Sequence, residues 1–358
     1  MTSRAELLLS GPRGRRLCLE LVQEVAGGPW PPLSWTDGPD GYPIGRFDPT
    51  TVRVSLAAAV ARTDLGAAVR PEPLLDALVV SVDEARDWQP PEDADVLLAD
   101  PEVAALLAPV AEAVAQAPAA SWWTEGSCRS DQHVVGWPWE GGTVRPSVTG
   151  ARSGLLQWRT GTLAADEEAA QDQPIDPAEA ASGAWWSTPV FASVPVSARA
   201  RPGVAAGRAA PVGLVLVEDA ALWETARSWP VDVPDGARVH EIDGPAAWVA
   251  LVERFPLDVS SLRRGVWWQA AARDDGWAVP DWAAVAETFD AVHLAVDGYL
   301  STAGRVLPVE LDGRPTRTLL GGWDPDATWW LTEILPPLGR PTDWRRRDDD
   351  PARWGLGG

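Results

Sequence analysis

The chain contains no lysine and no asparagine, and all 30 of its basic residues are arginine. Both gaps fit a very GC-rich coding sequence, and the same bias enriches Ala, Pro, Gly, Arg and, through its single GC-rich codon, Trp. The 22 tryptophans therefore do not each mark a binding position. Without an amine side chain the protein cannot use a P-loop lysine, a Schiff-base lysine or the strand lysine of a protein kinase. Cysteine is nearly as scarce. Cys18 and Cys128, far apart in sequence, offer neither a disulfide framework nor a metal-binding pair, which predicts two free thiols with Cys18 buried in its apolar run. Long apolar runs are missing too: no stretch approaches the roughly 18 residues of a membrane span. The run between Met1 and Ser10 is too short for a signal-peptide core. These absences predict a cytoplasmic protein with no membrane partner.

Positive charge is also in deficit, with 30 Lys+Arg against 51 Asp+Glu and a net charge of −21. Such an excess opposes approach to a phosphate backbone, and no arginine stripe overrides it locally, so nucleic acid is not an expected partner. The dense basic runs are Arg13 with Arg15 and Arg16, and Arg345 to Arg347, the latter followed at once by Asp348 to Asp350. Gly11-Pro12-Arg13-Gly14 lacks the glycine spacing of a dinucleotide fingerprint. It reads as a tight turn with solvated arginines, the other reading being an anion site at the start of the helix that follows. His133, His240 and His293 are isolated, each inside a predicted strand, so no metal-ligand set forms. His240 and His293 fall in one predicted sheet, where neighbouring strands would let them meet. A serine-nucleophile elbow, G-x-S-x-G, is absent.

What is present is enough apolar material, 46% of 358 residues, for two domains with real cores. The pattern predicts an α+β protein. Residues 1–171 read as a mainly helical domain with a short β segment near 121–148. Its helices fall over Arg16–Val25, Thr51–Arg62, Leu74–Trp88, Pro101–Gln116 with a break at Pro109, and Ser153–Gln171. Gly27–Pro49 reads as a structured loop or short hairpin. Residues 172–183, acidic, proline-containing and poor in apolar side chains, read as a linker.

Residues 184–335 then read as a mixed α/β domain with a central sheet. Strands are predicted over Pro211–Val217, Ala237–Ile242, Ala291–Val296 and Thr328–Leu335, and a short helix over Ala220–Ser228. Asp-capped helices are predicted over Ala246–Arg254 and Trp282–Thr288, a turn at Asp297-Gly298, and a hairpin around Asp312-Gly313. The aperiodic stretch 336–358 reads as a flexible tail.

Polar and aromatic residues concentrate between Trp282 and Trp330, in Tyr299-Leu300-Ser301-Thr302-Ala303-Gly304-Arg305 and in Gly321-Gly322-Trp323-Asp324-Pro325-Asp326. Paired glycines let backbone approach a ligand, carboxylates hold a ribose or act as a base, and indoles stack on a flat ring. The structural alternative is ordinary turn chemistry. The tryptophan pairs at 122/123, 185/186, 267/268 and 329/330 would each send one ring to a core and the other to a surface.

The runs Trp185-Trp186-Ser187-Thr188-Pro189, Pro280-Asp281-Trp282, Asp290 to Arg305 and Gly322-Trp323-Asp324-Pro325-Asp326 resemble a family of proteins from high-GC soil bacteria with no established activity. That resemblance covers about residues 180–335. Tyr299, Ser301 and Thr302 also resemble the middle element of the ADP-ribosyltransferase arrangement, with Arg263 or Arg264 earlier and Glu310, Asp324 or Glu333 later. The third member of the serine-threonine element and a Glu-x-Glu or Gln-x-Glu pair are lacking. The arrangement implies a nucleotide- or NAD-handling domain acting at a glycosidic bond. Arg264, Tyr299, Ser301, Thr302 and Trp323 would then hold the ligand, and Asp324 and Glu333 would supply catalytic carboxylates. The reading from a different class is a non-catalytic acidic interaction protein, an immunity, sequestering or scaffold factor with a protein partner.

Overall fold

The computed structural model describes residues 2–26, 34–37, 43–46, 48–139, 142–143, 145–171, 174–179, 183–220, 223–311, 313–347 and 353–357. The fold is mixed α+β. The chain divides into two compact units, residues 1–81 with 91–122 and residues 82–90 with 123–358.

The first unit holds the helices α1 (Arg4–Ser10), α2 (Pro12–Ala26), α3 (Pro49–Arg62), α4 (Leu65–Ala68), most of α5 (Pro71–Asp83), α6 (Asp93–Leu98), α7 (Pro101–Leu106) and α8 (Ala108–Gln116), with a hairpin of β1 (Ser34–Asp37) and β2 (Pro43–Arg46). Local chemistry sets several boundaries. Ser3 and Glu6 form a reciprocal capping box on α1. Asp48 and Asp100 cap α3 and α7, each followed by a proline that has no N–H to leave unsatisfied. Pro109 cannot donate back into a continuing helix, so α7 and α8 separate at Leu107.

Arg13 and Arg16 of the first basic run are buried. Arg13 forms a buried ion pair with Asp95 and donates to the Ser81 carbonyl at 3.1 Å, while the Ser81 hydroxyl donates back to the Arg13 carbonyl at 2.6 Å. Arg16 pairs with Glu20 at 2.6 Å. Arg13 thus ties α2 to α5 and α6, so neither a solvated turn nor an anion site describes it. Cys18 is buried, which pushes its thiol up to about 12, and both cysteines are free.

The second unit carries β3 (Gln132–Gly136), β4 (Pro138–Trp139), β5 (Gly142–Thr143), α9 (Ala151–Gln171), β6 (Val196–Ala205), β7 (Arg208–Pro211), β8 (Thr225–Val231) and β9 (Val239–Ile242). It continues with α10 (Pro245–Arg254), β10 (Pro256–Asp258), α11 (Ser260–Ala271), β11 (Gly276–Pro280), α12 (Trp282–Thr288), β12 (Ala291–Leu294) and α13 (Val296–Thr302). The last elements are β13 (Leu307–Leu311), β14 (Arg314–Thr318), β15 (Thr328–Trp330), β16 (Thr342–Arg346) and β17 (Trp354–Leu356).

The larger sheet runs β17-β16-β8-β3-β6-β15-β12-β9, with β7 added to β6. β3 lies between β6 and β8, so the segment expected as a linker, 172–183, falls inside one folded unit. Residues 172, 173 and 180–182 lie outside the described residues. Within the rest, the Pro174 and Ile175 carbonyls accept from Arg264 at 2.6 and 3.3 Å. An acidic, apolar-poor stretch marks a surface segment, and composition cannot tell one between domains from one lying on a domain.

The stretch expected to be a flexible tail is built into this sheet. β16 pairs with β8, β17 pairs with β16, and Trp354 of β17 also pairs with Ala205 of β6, so β6, β3, β8, β16 and β17 close a ring. Two buried indoles hold it there: Trp344 donates to the Ser228 hydroxyl at 2.8 Å, and Trp354 is wholly enclosed. Pairing also overrides local preference nearby. Thr225–Ser228, expected as the end of a helix, opens β8, which is bonded on both sides. Asp297-Gly298, expected as a turn, lies in α13, where a side chain at 298 would collide with the Ile242 carbonyl. The apolar run from Pro211 gives the end of β7 and a 3-10 turn instead of a strand, and the last predicted strand stops at Trp330.

A second sheet, β10-β11-β14-β13, packs an apolar cluster of Leu257, Val259, Val266, Trp267, Trp277, Val279 and Leu319. Trp267 of α11 meets Trp277 of β11 edge to face at 5.0 Å. The division of tryptophan pairs into an enclosed and a half-buried ring holds at 267/268 and 329/330, whereas both rings at 122/123 are buried.

Candidate functional site

The residues expected to bind a ligand are mostly internal. α13 encloses Tyr299, Ser301 and Thr302, and Ser301 spends its hydroxyl on the Asp297 carbonyl at 2.7 Å. Trp323 donates its indole N–H to the Ala327 carbonyl at 3.2 Å and packs against Trp248, Trp282 and Trp329. No face of that ring is presented to a ligand, since its exposure is 0%.

Three of these residues nevertheless meet around one carboxylate that the sequence reading passed over, Glu218. Its Oε2 accepts from the Gly322 and Trp323 backbones at 2.6 and 3.2 Å, and its own N–H donates to Asp324 Oδ1 at 2.9 Å. Burial pushes the Glu218 carboxyl well above its ordinary range, and the nearby Asp87 and Asp324 carboxylates push it further. The Tyr299 hydroxyl and the Gly322 N–H oppose them. Asp324 is pushed up to about 6 by burial, against the Glu218 N–H. Glu218 follows the apolar run Val212–Val217 directly, and an acid closing such a run was the available signal.

Glu333 does not join this cluster. It is exposed and accepts from the Arg152 backbone at 3.1 Å, so the two expected catalytic carboxylates have no partner in common.

His293 forms the second concentration of charge. It does not meet His240: β9 and β12 pair in parallel with Glu241 opposite His293, and His240 opposite Val292, which puts the two rings on opposite faces. His293 Nδ1 lies 2.6 Å from Glu241 Oε2 and Nε2 lies 3.3 Å from Asp326 Oδ1. Arg199 Nε donates to the same Asp326 oxygen at 2.7 Å, and Arg199 Nη1 donates to Glu125 at 2.7 Å.

The remaining candidate, Arg264, lines an open cleft of about 360 Å³ with Ser260, Ser261, Asp274, Asp275, Gly276, Arg314, Pro315 and Thr316. α11 supplies one wall, β11 and β14 the other. Four arginines, Arg264, Arg273, Arg314 and Arg317, meet three aspartates, Asp258, Asp274 and Asp275. Arg264 forks onto Asp274 at 2.7 and 2.8 Å, which holds that carboxyl below the usual range. Burial works against ionisation of Asp258, but Ser260 and Arg314 outweigh it. Asp275 is likewise held low by Arg273, so the three aspartates are ionised at neutral pH.

No family model, curated protein or solved structure matches this chain. Of the three concentrations, the Glu218 carboxylate and the His293 ring are buried, and the cleft is open to a ligand. Among the described residues the Arg314 guanidinium bonds one group, Asp258 at 3.0 Å, and its side chain is 63% exposed. Its remaining N–H groups suit an anion, and the Thr316 hydroxyl, which donates to the Arg314 carbonyl at 3.2 Å, keeps acceptor capacity for a ligand hydroxyl. Neither Tyr299 nor Trp323 reaches this cleft's lining, which has no aromatic ring.

Proposed function

We propose that the second unit binds a small phosphate-bearing ligand, of the sugar-phosphate or nucleotide class, in the cleft between α11 and the β11–β14 edge. The observation that carries this reading is the Arg314 guanidinium, 63% exposed on the wall of an open cleft and bonded among the described residues to Asp258 alone, in a chain whose net charge is −21. A cleft of about 360 Å³ falls within the size range of small-ligand sites. Arg264, one of the residues expected to hold the ligand, serves here as a fixed positive charge, and Arg314 as the direct donor. With no ring in the lining to stack on a base, affinity rests on the phosphate and its sugar.

The test is calorimetric titration of the intact chain with inorganic phosphate, ribose 5-phosphate, ADP and NAD at low salt. Arg314→Ala should weaken whichever of these binds by roughly tenfold or more, the scale of a charge-assisted hydrogen bond of about 1.5–3 kcal/mol. Binding that survives Arg314→Ala unchanged, or no binding by any of the four, rejects the site.

A further inference from the structure

We propose that His293 is a pH-sensitive clasp, an imidazolium that ties residues 123–127 and the loop 321–327 to the larger sheet and releases both as it loses its proton. The geometry requires the charged ring. Both nitrogens of a fully enclosed imidazole face carboxylate oxygens, Glu241 Oε2 at 2.6 Å and Asp326 Oδ1 at 3.3 Å. A neutral imidazole has one N–H, so its other lone pair would point at an anion with no water between them; the imidazolium donates to both.

Each carboxylate also holds a separate stretch of chain. Glu241, on β9, accepts from the Ser127 N–H through Oε1 at 2.9 Å. Asp326, in the loop before β15, accepts from the Arg199 side chain and backbone at 2.7 and 3.2 Å. Arg199, on β6, reaches on to Glu125 at 2.7 Å and to the Gly126 carbonyl at 2.9 Å. The charged groups around the ring are therefore Glu241 from β9 and Asp326 from the loop, with Arg199 from β6 and Glu125 from the 123–127 segment behind them. Loss of the proton leaves three carboxylates to one guanidinium.

Burial alone would lower the His293 pKa, but Asp326 and Glu241 outweigh it and raise it, whereas burial lowers those of His133 and His240. His293 is then the last of the three to deprotonate. The sign follows: a raised folded-state value gives stability that is complete below the ordinary histidine range and is lost as pH climbs through the folded value.

The experiment uses the full chain. Long-range ¹⁵N spectra of the three imidazoles, with His293→Gln as the assignment control, report the charge on His293. Hydrogen exchange by mass spectrometry, corrected for intrinsic rates, is followed from pH 6 to pH 10 in peptides covering 123–127 and 321–327. We expect a doubly protonated ring at pH 6 and a joint rise in exchange of both segments over the pH range in which His293 titrates. In His293→Gln both segments should exchange fast already at pH 6. Glu241→Gln, which keeps an acceptor for Ser127 and removes one charge, should move the transition to lower pH, and it serves as the test if His293→Gln does not fold. A neutral His293 tautomer at pH 6, or exchange in the two segments that does not follow the His293 titration, overturns the proposal.

Discussion

Asp324 and Asp326 stand two residues apart in one loop and meet opposite electrostatic settings. Asp326 is enclosed between Arg199 and His293, so its charge is answered on both oxygens by donors that carry charge or lie on the backbone. Asp324 receives a single backbone N–H from Glu218 and sits beside that residue's carboxylate. Removing a partner should therefore destabilise the first site, whereas removing a charge should relieve the second.

The largest effect is expected at the answered site. Arg199→Ala strands Asp326 in an enclosed position, and breaking a buried pair in this way costs about 3–5 kcal/mol. Denaturant unfolding measured at pH 7 checks it; a loss under about 1 kcal/mol would mean that water or His293 takes over the arginine's role.

The intermediate effect has the opposite sign. Asp324→Asn keeps the acceptor for the Glu218 N–H and removes a charge whose folded-state pKa, about 6, lies above its ordinary value of 3.8. The wild type loses stability as pH rises between these two values, because the unfolded chain ionises first. The variant should gain about 1–3 kcal/mol at pH 7–8 and little at pH 4. Melting temperatures across that range test the sign, and a variant destabilised at pH 8 would contradict the reading. The smallest effect is expected for Arg314→Ala, whose exposed pair with Asp258 should contribute less than about 1 kcal/mol while the variant loses ligand affinity. Stability and binding then separate at the cleft, as they do not at the enclosed clusters.

The sequence made parts of this legible. Asp281 before a helical pattern places the N-cap of α12, and Pro109 places the break between α7 and α8, because both act within one turn. The hairpin of β13 and β14 was readable from its turn, of which Asp312 lies outside the described residues. Of the candidate site residues, Arg264 lies in the cleft, Tyr299, Trp323 and Asp324 gather around Glu218, and Ser301, Thr302 and Glu333 serve helix packing or the surface. The cleft itself was not legible, since its walls come from residues 260–264, 274–276 and 314–316 and no spacing rule connects them.

What the sequence determined by itself is what acts over a few residues or through bulk composition: the α+β content, the Asp281 cap and the break at Pro109, the exclusion of amine chemistry and the strong negative charge. The Asp cap expected on the Ala246–Arg254 helix is not made, Gly244 standing at the start of α10 with no side-chain cap. Tertiary structure decided what depends on partners far along the chain. Thr342–Arg346 and Trp354–Leu356 became strands because β8 and β6, more than 100 residues earlier, offered edges to pair with and room for two indoles. The two aspartates of one loop acquired different roles because Arg199 and His293 face one and Glu218 faces the other. A carboxylate's charge is set by the groups within a few ångströms of it, and the fold alone brings those groups together.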